Sequence, residues 1–212
     1  MQTSTLKRPT RPDRRQAILK AAATTFCELG FERATVSDIL RGTGIRSTGF
    51  YNYFADKDQV LIELIEDVTE PLVRRLTNVR SEVPLIEARV LRLCEVYFAF
   101  VADSRVLRAL LRHDGGKVRT LACEAMVRAA VEGLDEDLRV AAEAGMVASV
   151  DPEYLNAVVF GVMFQLGVRM LERTPCESED VARFASVVIL GGLDRLTEKA
   201  EPGGLAYLGA GA

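Results

Sequence analysis

Residues 35–58 read TVSDILRGTGIRSTGFYNYFADKD, and this stretch decides the fold. Thr35 stands where a helix N-cap belongs. Asp38, three residues on, completes a capping-box spacing ahead of the apolar pair Ile39 and Leu40. Gly42 and Gly44 bracket Thr43 and supply the backbone freedom of a tight inter-helix turn. A second helix of about two turns is expected to carry Phe50 and Phe54 on one face. Its other face offers Arg46, Ser47, Thr48, Tyr51 and Asn52. Two helices around a glycine turn, the second with polar and aromatic groups outward, make a helix-turn-helix suited to the DNA major groove.

Working outward, residues 13–29 form a helix with Ile18, Ala22, Phe26 and Leu29 on one stripe, stopped by Gly30. A second capping-box variant at residues 56–59 opens a long fourth helix through Val60, Leu61, Leu64, Ile65 and Val68, with Pro71 a candidate kink. Residues 11–66 resemble the DNA-binding domain of TetR-family transcriptional repressors. The resemblance rests on residues 18–26, Gly30-Phe31, Thr35-Val36, Ile39, Gly44-Ile45, Phe50-Tyr51, Tyr53-Phe54, Lys57 and Leu61. One position departs: the family usually places a Ser where Arg46 stands. Ser47 or Thr48 then become the candidate caps, and the first residue of the recognition helix stays open.

Base-edge candidates are Arg46, Ser47, Thr48 and Asn52, since Arg suits guanine, Asn suits adenine and the hydroxyls are permissive. Gly49 lets the backbone close on the groove. The resemblance implies that Thr35, Tyr51, Tyr53 and Lys57 hold phosphates; for both tyrosines packing on the first helix is the alternative. Lys7 to Arg15 reads either as a basic arm for phosphate or minor groove, or as a solvated leader.

Charge is unevenly spread. Through Lys57 there are ten Lys/Arg and five Asp/Glu, 10 − 5 = +5, so a net charge of −3 leaves −3 − 5 = −8 for the rest. A basic head on an acidic body fits one domain meeting phosphate and another that does not. The polar, basic N-terminus has no apolar h-region, so no secretory signal is expected. Gln165 and Arg169 interrupt the apolar run 155–171, which argues against a membrane span. Cys27, Cys94, Cys123 and Cys176 are widely spaced, with no C-x-x-C pair, and read as reduced, buried thiols in a cytoplasmic protein, a redox-sensing cysteine being the alternative. His113 is the single histidine, and no P-loop, G-x-G-x-x-G or H-E-x-x-H motif occurs. Catalysis, a metal and a cofactor are therefore not expected.

The expected architecture is all-α, with about nine helices: a three-helix head and a helical ligand-binding and dimerisation bundle. The expected parts are a flexible basic leader (1–10), the helix-turn-helix domain (11–56), the ligand-binding and dimerisation domain (57–200) and a flexible tail (201–212). The body reads as helices over residues 84–102, 103–113, a long one reaching 144 after Gly115-Gly116, one opened by Asp151-Pro152, and a last one over 178–198.

The last two are apolar nearly all round and must bury two sides. Val159, Phe160, Met163, Val187, Val188, Leu190 and Gly191 are the candidate dimer interface; a buried pair within a monomer is the alternative. The resemblance also implies a ligand cavity among the body helices. Cys94, Tyr97, Phe98, Val101, Leu107, Leu110, Leu111, Met126, Met163 and Phe164 are the candidate lining, although such residues at helical spacing more often make plain core. Residues 97–119 resemble, weakly, TetR-type regulators of unsaturated fatty-acid synthesis that respond to acyl-CoA. Arg105, Arg108, Arg112, Lys117 and Arg119 would then meet CoA phosphates; a solvated, salt-bridged face is their more ordinary use.

The expected protein is thus a ligand-responsive repressor, a homodimer on operator DNA that releases it when a small apolar effector binds. An acyl-CoA sensor, an activator or constitutive DNA binder, and a helical enzyme or carrier are the alternatives.

Overall fold

The computed structural model describes residues 11–113, Leu121 and 151–197. Among them eight helices and no strand occur, so the protein is all-α as expected. Apart from Leu121, which is helical, the long helix expected to reach residue 144, together with Met126, Lys117, Arg119, Cys123, the leader and the tail, lies outside the described residues.

The chain divides into two compact units. One holds residues 11–68 and 106–113, the other 69–105 and 151–197. The division falls inside the fourth helix, whereas the sequence suggested residues 56/57.

In the first unit, α1 (Arg11–Leu29) buries the expected stripe of Ile18, Ala22 and Phe26. Gly30 ends it with φ 78°, a left-handed turn that suits glycine. Phe26 meets Phe31 edge to face at 5.3 Å between ring centres. α2 (Val36–Leu40) packs on α1 and on α3 (Ser47–Phe50). Gly42 and Gly44 take φ 84° and 69°, with Thr43 between them donating its hydroxyl to the Leu40 carbonyl at 2.9 Å. That turn aims α3.

The sequence suggested two helical turns reaching Phe54. The structure gives one turn, then a turn at residues 51–53, with Phe54 beyond the helix. Both phenylalanines are nonetheless buried, 5.7 Å apart, and the Phe54 amide still donates to the Phe50 carbonyl at 3.1 Å, one helical turn back. α4 (Lys57–Glu82) starts on the expected Asp56 cap, whose carboxylate accepts the Gln59 amide at 2.9 Å, and it runs through Pro71. α6 (Arg105–His113) belongs to this unit and buries Leu107.

The second unit is built from α5 (Ile86–Asp103), α7 (Pro152–Leu171) and α8 (Ser178–Thr197). α8 packs chiefly on α5, and α7 meets both. The Asp151-Pro152 start holds as read: the Asp151 carboxylate accepts the Glu153 amide at 2.9 Å. By length and composition alone Glu153–Leu171, with mean hydropathy 1.4, would span a bilayer. Met163, Val168, Met170 and Leu171 from this helix are instead buried in the unit's own core.

Candidate nucleic-acid interface

Phe50 is fully buried, and this fixes what α3 turns outward. Arg46, Ser47, Thr48 and Asn52 are exposed, and Tyr51 is 61% exposed with its ring edge-on to Phe50 at 5.3 Å. Five polar or aromatic groups therefore line one edge of a hairpin whose opposite edge is core. Gly49 is half-buried; a Cβ there would lie 3.2 Å from the Ile45 methyl Cγ2, so close packing on Ile45 as well as groove access favours glycine. Tyr53 is half-buried.

Arg46 is itself the N-cap of α3, with extended backbone and no side-chain cap hydrogen bond. Neither Ser47 nor Thr48 caps; they are the first helical residues, and the departure at Arg46 leaves the helix start without a side-chain acceptor.

Two of the expected phosphate residues also make hydrogen bonds within the head. The Thr35 hydroxyl donates to Asp38 Oδ2 at 2.6 Å and accepts the Asp38 amide at 3.1 Å, while the Thr35 amide donates to Asp38 Oδ2 at 3.1 Å. Both donors of Thr35 thus serve a reciprocal capping box. The Thr35 hydroxyl first, then its amide, and Arg41 at 2.6 Å hold the Asp38 carboxyl below the usual carboxylate range. Lys57 points into the head. Its Nζ donates to the carbonyls of Phe31, Glu32 and Ala34 at 2.9, 3.1 and 3.1 Å and lies 4.5 Å from the Phe31 ring centre. A lysine ammonium carries three protons, and all three are placed.

The sequence reading missed Arg15. It pairs with Glu63 of α4 and stands 5.3 Å from the Phe54 ring centre, joining α1, the turn and α4. Its position within a basic stretch suggested DNA; only the fold shows a carboxylate opposite.

Of the ligand candidates, Cys94, Tyr97, Phe98, Val101 and Met163 are buried in the second unit, and Phe164 is half-buried there. Cys94 Sγ lies 3.8 Å from Met163 Sδ, and a Cβ at Gly167 would sit 3.6 Å from the Tyr97 hydroxyl. Burial pushes the Cys94 thiol up to about 12, so it stays protonated. Leu107 is buried in the first unit. The side chains of Leu110, Leu111 and Arg112 lie outside the described residues.

Of the dimer candidates, Val187 and Val188 are 69% and 44% exposed and Gly191 is exposed, whereas Val159, Phe160 and Leu190 are half-buried. Met163 faces inward at 6% and leaves the interface set, because its thioether packs on Cys94. Val158 and Phe184, part of the two all-round apolar runs, are exposed as well, and so is Tyr154, just ahead of the first run. The signal was present: positions 184, 187, 188 and 191 form one helical stripe, and Ala182, Ala185 and Ser186 occupy the opposite, buried one.

Residues 18–64 match the family model described as bacterial regulatory proteins, tetR family. The chain is 37% identical over 98 residues to the HTH-type transcriptional regulator YdgC of Bacillus subtilis, covering 44% of this chain and 50% of that protein. It is 35% identical over 72 residues to the HTH-type transcriptional repressor KstR2 of Mycolicibacterium smegmatis, covering 34% and 35%. The chain thus spans half or less of the length of these curated relatives.

Two solved structures share the fold: the fatty acid degradation regulator FadR from Bacillus halodurans (TM-score 0.68, 22% identity, 88% of this chain and 98% of that one) and FadR from Bacillus subtilis with stearoyl-CoA (0.68, 18%, 84% and 98%). With its glycine turn, buried Phe50 and Phe54 and capping box at Thr35, the segment 18–64 is similar to the tetR family of bacterial regulatory proteins, and the chain shares the fold of the two solved structures.

Proposed function

We propose that the protein is a sequence-specific, DNA-binding transcriptional repressor that acts in the cytoplasm as a homodimer and releases its operator when its helical body binds a small, largely apolar effector. The observation that carries this reading is the outward edge Arg46, Ser47, Thr48, Tyr51 and Asn52 over a fully buried Phe50. Arg46 suits the O6 and N7 of guanine, Asn52 suits adenine, and Tyr51 reaches a phosphate. Tyr53 is a secondary phosphate contact.

The exposed stripe Phe184, Val187, Val188 and Gly191, with Tyr154 and Val158 on α7, supports a two-fold interface. A dimer supplies the two half-sites, a helical turn or a multiple apart, that helix-turn-helix proteins read. In the second unit, Cys94, Tyr97, Phe98, Val101, Met163 and Phe164 form the apolar region where an effector would insert. An effector that binds one conformation of the dimer better than the other shifts the population and with it the separation of the recognition helices.

Fatty acyl-CoA is the effector class to test first, because the Bacillus subtilis FadR of the same fold was solved with stearoyl-CoA. The test is to select duplexes from a random pool, measure wild type, Arg46→Ala and Asn52→Ala on the winner, then titrate acyl-CoAs and apolar small molecules. Both variants should lose operator preference. A wild-type chain that enriches no duplex overturns the reading. An operator complex indifferent to every effector would leave a constitutive binder, and one that tightens would reverse the sign of control.

A further inference from the structure

Arg46 occupies the backbone position from which a side chain can close the start of α3, and it does not close it. Ser, Thr, Asp and Asn suit an N-cap because a short side-chain oxygen accepts an exposed amide, whereas a guanidinium has only donors. The main chain alone starts this helix: the Arg46 carbonyl accepts the amides of Gly49 and Phe50 at 2.7 and 3.2 Å. The Arg46 side chain is exposed, and the short Ser47 and Thr48 follow it. Arg15, Arg41, Arg74, Arg92, Arg169 and Arg183 each pair with a carboxylate; among the described residues none stands opposite Arg46. A planar fork of donors, left without an acceptor among those residues, thus heads the outward edge, and such a fork matches the O6 and N7 of guanine. Asn52 stands at the other end of the edge, 52 − 46 = 6 residues away. Six residues at helical rise span about 9 Å, against about 3.4 Å for each base pair.

We infer that Arg46 is the specificity-determining residue of this edge: it puts a guanine reader where a helix cap would stand, so that each operator half-site carries a guanine within about three base pairs of the adenine taken by Asn52. This rests on the DNA-binding reading above. The start of α3 goes without a side-chain acceptor as a result. A serine at this position would therefore make a more stable head that reads its operator less well.

The test uses the operator that wild type selects from a random pool. Wild type and Arg46→Ser are compared on that duplex and on copies in which each guanine in turn becomes adenine or 7-deazaguanine. The analogue lacks the N7 acceptor and keeps its base pairing. Both proteins are also unfolded in urea without DNA.

Wild type should lose roughly tenfold to a hundredfold in affinity when one guanine of the half-site becomes adenine. It should lose about tenfold when the same guanine becomes 7-deazaguanine, the scale of one hydrogen bond to a charged group. In Arg46→Ser both penalties should vanish at that guanine and persist elsewhere, while the urea midpoint rises. Asn52→Ala should relax the preference at an adenine within about three base pairs of it.

Penalties that persist in Arg46→Ser, or a selected half-site without guanine, would overturn the inference. So would a salt slope reduced by about 0.9 for each phosphate with every base preference intact, since Arg46 would then hold a phosphate. An Arg46→Ser midpoint at or below that of wild type would show that the arginine itself stabilises the helix start, and would overturn it too. A wild-type chain that enriches no duplex removes the underlying DNA-binding reading instead; the urea comparison needs no DNA and keeps the two failures apart.

Discussion

Replacing Phe184 by Ala should take the dimer apart while leaving each subunit folded. Phe184 is 60% exposed in the single chain. With a phenyl side chain presenting roughly 200 Å², about 120 Å² remains to be covered by a partner. At about 25 cal/mol per Å² that is about 3 kcal/mol from each subunit, and two-fold symmetry doubles it to about 6 kcal/mol. Ala retains its methyl and a mutated interface relaxes, so this is an upper bound. It corresponds to about four orders of magnitude in the dimer dissociation constant.

Sedimentation velocity from micromolar to low nanomolar protein reads that shift, and circular dichroism confirms retained helix. Met163→Ala is the contrast. That side chain is buried, with its sulfur 3.8 Å from Cys94 Sγ, and its loss should reduce folding stability by about 2–5 kcal/mol. Its dimer constant should stay that of wild type. If Phe184→Ala dissociates at the wild-type concentration, the α7–α8 face is not the interface, and the separation of two recognition helices needs another source.

Thr35→Ala removes the hydroxyl half of the capping box and leaves the backbone amide on Asp38; it should lower stability by about 1 kcal/mol in urea titrations, with no change in the salt slope of DNA binding. The Asp38 carboxyl is held low in the folded state, so its contribution is fully present above the ordinary carboxylate value of about 4 and is lost as pH falls below it. The fall of the urea midpoint on acidification should therefore be shallower in Thr35→Ala. Cys94, raised to about 12, has the opposite sign: its contribution is complete below the ordinary thiol value of about 8.5 and fades as pH climbs toward 12. Peptide mapping after iodoacetamide at pH 8 should accordingly find the exposed Cys176 alkylated and Cys94 modified only after unfolding. Gly44→Ala meets no atom within 4 Å, so only its φ of 69° opposes it; denaturant melts should show a loss of about 1–2 kcal/mol.

What the sequence made legible follows from how local each signal is. The Thr35 to Asp38 box, the positive-φ glycines and the Asp151-Pro152 start are set by neighbours within four residues, and each appears where expected. Phe50 and Phe54 were assigned to the core correctly and to one helix incorrectly: burial is a property of composition, but helix length depends on what packs alongside. The internal partners of Lys57 and Arg15 were not legible because they are distant along the chain, the Phe31 to Ala34 carbonyls and Glu63. A cation in a basic head looks the same on paper whether it faces phosphate or a carbonyl. The Met163 error has a similar origin, since a helix apolar on every side does not say which side meets Cys94.

The brevity of α3 explains why the head needs so many internal fastenings. A single turn without a side-chain cap has no stability of its own, because helix nucleation is unfavourable until several residues are fixed. Its geometry must be imported. Phe50 and Phe54 supply it from below through burial, the Gly42-Thr43-Gly44 turn supplies it from α2, Lys57 ties the start of α4 to the α1–α2 turn, and Arg15 ties α1 to Phe54 and α4. Arg46, Ser47, Thr48, Tyr51 and Asn52 are then presented by a rigid support, while none of the paired groups beneath them is needed at the outer surface. The separation between polar groups that hold the head and polar groups that face outward is therefore what lets so short a helix present a defined edge. It also makes the attitude of that edge sensitive to the position of α4.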